Sequence, residues 1–312
     1  MLPALSQGAI EALHQYFPQS AEAWIAAYPD LLQRYLKHWH LNIVGTADGG
    51  WPTNQVYFVE QSGKPLVLKM GHPNPEQRTE AIALKAYTDA GRPIVQLLDI
   101  DDSGFGFLLE RISPGSMLRD EIRSDTAIKA ALSLHQNLPL EPGSFDSVQS
   151  GLPHFVDWMR LAFADYRRGA TPSVEFVGYL AQAERLYREF ADFPHALLHG
   201  DLHHENILRE GNRWVAIDPK GVIGPVPLEC GRIMHNFMQD EQDAPLTFED
   251  RIAILDRRFS IASTVLPYNA RQIAHITFID AALSTCWSLN AGDEGREGLA
   301  ILAALTQMIN EP

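Results

Sequence analysis

Cysteine is scarce in this chain: Cys230 and Cys286 are the two among 312 residues. Two thiols build neither a disulfide framework nor a cysteine-based zinc module, and the expectation is a reducing, cytoplasmic setting. Basic charge is also in short supply. Lys and Arg number 25 against 39 Asp and Glu, a net charge of −14. Nucleic-acid binders draw their non-specific affinity from neutralising phosphates, so the balance argues against that class and against docking on anionic lipid. Long hydrophobic runs are missing too, and none approaches the roughly 18 residues of a spanning helix. The first residues, MLPALSQGAIEALHQYF, lack a basic segment and carry Glu11, unlike a secretory leader. Repeats and low-complexity tracts are absent. What is abundant, 46% hydrophobic residues, supports a sizeable core. The acidic field suits a small cationic ligand, although solubility alone explains it as well.

Helical periodicity covers 7–17, 20–28 and 30–39, with Pro29 at the break between the last two. Residues 44–54 are rich in Gly and turn formers and read as a loop. Strands are expected at 55–60 and 65–70, a helix at 75–90 stopped by Gly91, and further strands at 94–100 and 105–110. After Ser113-Pro114-Gly115 the pattern turns helical, at about 117–137, 153–168, 173–191, 228–239, 247–264, 269–290 and 294–310. One hairpin, 206–209 with 213–217, interrupts it. The expected fold is α+β, with a β-rich part over 1–112, an α-rich part over 113–312, and a ligand cleft between them.

The most informative stretch is His199-Gly200-Asp201-Leu202-His203-His204-Glu205-Asn206-Ile207-Leu208. Asp218 follows in Ala216-Ile217-Asp218-Pro219-Lys220-Gly221, at the end of the short apolar strand 214–217. Phosphoryl transfer from ATP needs a carboxylate at the incoming hydroxyl and oxygen ligands for magnesium. Protein kinases set these out as H-R-D-L-x-x-x-N followed by D-F-G; Asp201 and Asn206 keep the same spacing. Plain turn formation explains each residue singly but not the set. His199 and His203 sit four apart, a zinc spacing on a helix, yet Gly200 argues against a helix there and the Glu of H-E-x-x-H is missing.

Upstream, Leu66-Val67-Leu68-Lys69 has the form of a strand ending in a phosphate-binding lysine. An ammonium buried there needs a partner, and the candidates are Glu80 or, one turn earlier, Glu76. Gly49 and Gly50 allow close backbone approach to phosphates, and Thr53 and Asn54 offer hydrogen bonds; an ordinary hairpin turn explains these residues equally. The backbone along 108–112, Glu110 and Ile112 included, is the candidate reader of an adenine edge.

Together these residues resemble the aminoglycoside phosphotransferase family, closest to its streptomycin and hydroxyurea kinase branch, where the aspartate is followed by Pro-Lys. Gly224-Pro225-Val226-Pro227-Leu228-Glu229-Cys230-Gly231 is similar to a further element of that branch, without its aspartate after the glycine, and Glu205 stands where aspartate is frequent. The resemblance runs from about 40 to 310 and implies a two-lobed protein-kinase-like fold using ATP and Mg²⁺. It implies Lys69 on the phosphates with Glu80 as its partner, Asp201 as catalytic base, and Asn206 and Asp218 as magnesium ligands.

Guanidinium groups of a cationic acceptor would call for bidentate carboxylates. The candidates are Asp157, Glu229, Asp240 and Asp280, with Trp287 beside them; each also reads as part of a solvated helix face. The expected activity is ATP-dependent phosphorylation of a hydroxyl on a small cationic molecule, an aminoglycoside such as streptomycin. Alternatives are a housekeeping kinase of a sugar, amino alcohol or hydroxyurea-like compound, and an ATP-binding scaffold. No partner protein is implied.

Overall fold

Ser6 opens the first helix by accepting a hydrogen bond from the Ala9 N–H, and helix α1 spans Gln7–Tyr16. The computed structural model describes residues 2–47, 53–121, 125–141, 143, 151–169, 172–236 and 246–310. Helix α2 (Ala21–His38) runs straight through Pro29, against the expected break. Interior proline costs about 3 kcal/mol. Trp24, Tyr28, Leu32 and Tyr35 are buried in one row along that helix, and their burial, roughly 2 kcal/mol per large side chain, outweighs the penalty.

Contacts divide the chain into two units, Met1–Gly115 and Ser116–Pro312, so the division falls after Gly115 and not after Ile112. The first unit holds strands β1 (Asn42–Thr46), β2 (Asn54–Gln61) and β3 (Lys64–Gly71), helix α3 (Pro75–Asp89), and strands β4 (Leu97–Ile100) and β5 (Gly106–Glu110). They form one antiparallel sheet in the order β1-β2-β3-β5-β4. β1 falls partly where the sequence reads as a loop; its register slips between Ile43 and Gly45, which hides the alternation. Tyr57, Val59, Leu66, Leu68, Met70 and Leu108 join the buried row of α2 in one core. Gly106 is required there, since a Cβ would lie 2.6 Å from Tyr35 Cζ. Strand alternation turns Lys69 to the opposite face from Leu68 and Met70.

Strand β6 (Pro114–Met117) spans the join. The second unit continues with helices α4 (Asp125–Asn137), α5 (Phe155–Arg168) and α6 (Val174–Tyr187), strands β7 (His195–Leu198), β8 (Ile207–Glu210), β9 (Arg213–Ala216) and β10 (Val222–Pro225), and helices α7 (Gly231–His235), α8 (Phe248–Val265), α9 (Ala270–Asn290) and α10 (Arg296–Asn310). β8 and β9 are the expected hairpin, while β7 pairs antiparallel with β10 in a ladder that short apolar runs did not announce. The helix expected from 117 begins only at Asp125, after a 3₁₀ turn at Leu118–Glu121. The one expected over 228–239 is the short α7, and 237–239 lie outside the described residues. α9 is buried on most of its faces between Ile273 and Cys286, and α5, α6, α7, α8 and α10 pack on it. Among the described residues no helix is long and apolar enough to cross a membrane.

His135 on α4 is 2% exposed, and burial lowers its pKa from 6.5 to about 4. The native state therefore binds fewer protons than the unfolded one between those values. This contribution to stability is complete above pH 6.5 and is lost as pH falls through 4. His135→Phe removes it. Urea unfolding from pH 7 to pH 4 should show the variant losing less stability than the parent, by on the order of 3 kcal/mol.

Candidate active site

In the first unit, Lys69 is 3% exposed and its Nζ donates to Glu80 Oε1 at 2.6 Å. Glu80 is the partner, and Glu76 is not needed for it: Gln77, Glu80, Ala81 and Leu84 face inward on α3, whereas Glu76 is exposed. Asn74 and Pro75 start that helix, with Asn74 Oδ1 accepting from the Gln77 N–H. Gln77 Nε2 in turn donates to Asn54 Oδ1 at 3.2 Å, which commits the Asn54 oxygen. Gly71 makes room, since a Cβ there would meet Gln77 Nε2 at 2.2 Å. Thr53 is buried, and Gly49 and Gly50 lie outside the described residues. Glu110 makes two hydrogen bonds with Gln96. Its N–H donates to the Gln96 carbonyl and its Oε1 accepts from the Gln96 N–H, so its amide is committed and not open to an adenine edge. The side chain of Ile112 is buried.

In the second unit the chain leaves β7 into a turn at Gly200, whose φ is +79°. A Cβ at Gly200 would meet Val222 Cγ1 at 2.8 Å and the Trp158 ring at 3.0 Å. His199 is fully buried. Its Nδ1 accepts from the Asp201 N–H at 3.2 Å, which assigns the proton to Nε2, and Nε2 donates to the Ile217 carbonyl at 2.8 Å. Burial lowers its pKa to about 4, so the ring is neutral. With both nitrogens engaged His199 is no zinc ligand, and among the described residues no group of three or more His, Cys, Asp or Glu is placed to hold a metal.

Asn206 Nδ2 donates to the Asp201 carbonyl at 3.0 Å, which turns the amide oxygen away from that bond. The hairpin returns the chain beside it: the Ile217 N–H donates to the Asn206 carbonyl at 2.9 Å. Asp218 follows at φ +57°, a left-handed conformation that Asp tolerates. Asn206 and Asp218 thus stand at one end of the hairpin with oxygen donors. This set fits magnesium, which takes one or two carboxylates and fills its shell with phosphate and water.

Glu229 is not a substrate carboxylate. It is 4% exposed, and its two oxygens accept the N–H groups of His199 at 2.5 Å and Gly200 at 3.1 Å. Burial raises its pKa to about 7 against the pull of those bonds. Asp280 is also internal: its Oδ2 accepts from Arg232 Nε at 2.8 Å and lies 2.6 Å from His235 Nε2. Burial opposes its charge, but Arg232 and His235 together hold its pKa at about 2. Arg232 is the residue that sequence reasoning missed. Its Nη1 lies 3.1 Å from Asp201 Oδ1, so one guanidinium joins Asp201 to Asp280. Burial works against the Asp201 charge, yet Arg232, then His203, Lys220 and His199, keep its pKa below the usual aspartate value. Gly231 allows the contact: a Cβ there would lie 2.7 Å from Asp280 Cβ.

Of the other acidic candidates, Asp157 is half-buried and pairs with Arg160, and Asp240 lies outside the described residues. Trp287 meets Trp158 edge-on at 5.5 Å between centroids, with Lys220 Nζ 5.8 Å from its ring. Through Trp158 it stands one layer from Gly200.

Residues 38–292 match the family described as aminoglycoside/hydroxyurea antibiotic resistance kinase. The chain belongs to that family. Streptomycin 6-kinase of Streptomyces glaucescens is 24% identical over 295 residues, covering 92% of each chain. Hydroxyurea phosphotransferase of Kitasatospora aureofaciens is 29% identical over 226 residues, 69% of this chain and 63% of that enzyme. Among solved structures, choline kinase LicA from Streptococcus pneumoniae superposes with a TM-score of 0.63 at 14% identity, over 90% of this chain and 98% of that one. An aminoglycoside phosphotransferase complexed with ADP and hygromycin B gives 0.60 at 16%, over 89% and 97%. The fold is therefore protein-kinase-like, and this kinase family member is an enzyme that phosphorylates a hydroxyl of a small molecule.

Removing one member of a buried ion pair leaves a bare charge. Lys69→Met should destabilise the protein by about 3 kcal/mol in urea unfolding. The double variant Lys69→Met/Glu80→Leu should recover most of that loss. An additive cycle would contradict the pairing.

Proposed function

We propose that the protein is an ATP-dependent O-phosphotransferase whose acceptor is an aminoglycoside of the streptomycin type, working in the cytoplasm. The observation that carries this reading is the turn holding Asp201: ionised, bonded through its backbone to His199 and Asn206, and followed at the hairpin's end by Asp218. Such an arrangement supplies what phosphoryl transfer needs from protein and little else. The relatives' names support the acceptor class.

Lys69, fixed by Glu80, would place its ammonium on the α- and β-phosphates. Asn206 and Asp218 would hold magnesium, which supplies positive charge to phosphate oxygens when bound. Asp201 accepts a hydrogen bond from the acceptor hydroxyl and aims its oxygen at the γ-phosphorus. The new O–P bond forms as the bond to the departing ADP oxygen breaks, and the hydroxyl proton passes to Asp201. Because Arg232 holds this carboxylate as a weak base, proton transfer comes late and orientation is its main contribution. Glu229 keeps the turn in place without touching substrate.

A second reading, a kinase of an uncharged metabolite, has one observation in its favour: Glu229 and Asp280 are consumed inside the protein and cannot receive a cation. An ATP-consumption assay over streptomycin, other aminoglycosides, hydroxyurea, choline and simple sugars separates the two. Turnover with streptomycin, lowered about 10³-fold in Asp201→Asn, is the expected result. Turnover confined to an uncharged compound would replace the acceptor, and no turnover with any would sink the transferase reading.

A further inference from the structure

We infer that Asn54 and Gln77 are positioning residues for the nucleotide: their hydrogen bond fastens the first turn of α3 to β2, and through that helix sets where Glu80 holds the Lys69 ammonium. The inference rests on the transferase reading above, in which Lys69 meets the α- and β-phosphates.

The sheet face decides the geometry. Asn54 pairs with Gly71, and Val56 with Lys69, across β2 and β3. Side chains alternate along a strand. Asn54, Val56, Lys69 and Gly71 therefore share one face, opposite the face that carries Tyr57, Leu68 and Met70 into the core. Helix α3 meets the first face through two polar links. Glu80 accepts from Lys69 Nζ, and one turn earlier Gln77 Nε2 donates to Asn54 Oδ1. A Cβ on Gly71 would lie 2.2 Å from Gln77 Nε2 and 2.3 Å from Asn54 Oδ1, so the bond stands directly over the strand that carries Lys69.

Apolar packing does not hold the start of the helix. Ala81, Ala83, Leu84 and Tyr87 are buried along its later turns, whereas Gln77 is the one buried side chain between Pro75 and Thr79. Asn74 caps the helix from within the turn after β3, bonding the Gln77 N–H and the His72 carbonyl. It is Gln77 that carries a link across to β2. Released there, the helix is free to pivot about its apolar end, and Glu80 moves with it.

Stability does not explain the amide. Gln77 is 2% exposed, and its Oε1 accepts no hydrogen bond among the described residues. A buried oxygen left so costs about as much as the bond made by Nε2 returns. An apolar side chain of similar size would fill the place without that cost, so what the amide adds is direction.

Fluorescence titration of the full chain with mant-ADP and Mg²⁺ tests this. Gln77→Met should melt within about 3 °C of the parent and bind mant-ADP about 5- to 10-fold more weakly. Gln77→Leu serves where Gln77→Met does not fold. Gly71→Ala, whose methyl would stand where the two amides meet, should weaken binding alike. Asn54→Ala should do the same, and its double variant with Gln77→Met should bind no more weakly than the weaker single one. In a Glu80→Gln background, where the ammonium has already lost its ion pair, Gln77→Met should change binding less than about 2-fold. With an acceptor that is turned over, Gln77→Met should raise the KM for ATP and leave the acceptor's KM unchanged. The inference is overturned if folded Gln77→Met binds mant-ADP as the parent does, if the Asn54 and Gln77 effects add, if Gln77→Met weakens binding in full without Glu80, or if the acceptor's KM alone rises. A parent that binds no mant-ADP would sink the transferase reading and the inference together. A parent that binds and transfers, with Gln77→Met indistinguishable from it, would remove the inference alone.

Discussion

The carboxylate of Glu229 accepts the N–H groups of both His199 and Gly200 in a place closed to water. Those two donors belong to a tight turn with no helix or strand of its own to satisfy them, and unpaired they would make the turn unstable. With them bound, the next residue, Asp201, has a determined position. His199 adds the second brace, receiving the Asp201 N–H on one nitrogen and reaching the Ile217 carbonyl with the other. The loop before Asp201 and the strand before Asp218 are therefore joined through one neutral imidazole. Its neutrality follows from burial, and a proton added there would break the acceptor side of the brace.

Charge in this protein is handled by pairing. Lys69 with Glu80 is almost removed from solvent, and Arg232 between Asp201 and Asp280 is largely shielded from it. Buried pairs of this kind add little net stability compared with apolar residues of the same size. Their worth is in direction: each holds a functional charge at one place and leaves the opposing member to stabilise it. Asp201 is ionised because of this and is a weak base for the same reason. A kinase needs orientation and charge more than basicity, so the compromise suits the chemistry.

Part of the chain's acidic surplus is spent inside the protein. Glu229 and Asp280 are structural supports of the turn that holds Asp201, one anchoring backbone and the other anchoring Arg232. Net charge adds up residues without regard to where they point. Only a carboxylate with uncommitted oxygens recognises a cation, and commitment is a matter of neighbours.

The sequence by itself determined what is local. The spacing from Asp201 through Asn206 to Asp218 is a turn and a hairpin, whose geometry a short segment carries within itself. Lys69 at the end of an alternating strand and the Asn74-Pro75 helix start are legible for the same reason. Tertiary structure decided the rest. Helix α2 survives Pro29 because packing along its buried row outweighs a local penalty. β7 and β10 are four residues each and become strands only by pairing with one another. Glu80 was separable from Glu76 only once α3 had turned one of them inward. Arg232 and Asp280 are 48 residues apart, and nothing in either neighbourhood points to the other. Hydrogen bonding within a turn is set by adjacent dihedral angles. An ion pair across that distance exists only after α7 and α9 have packed, with Gly231 between them.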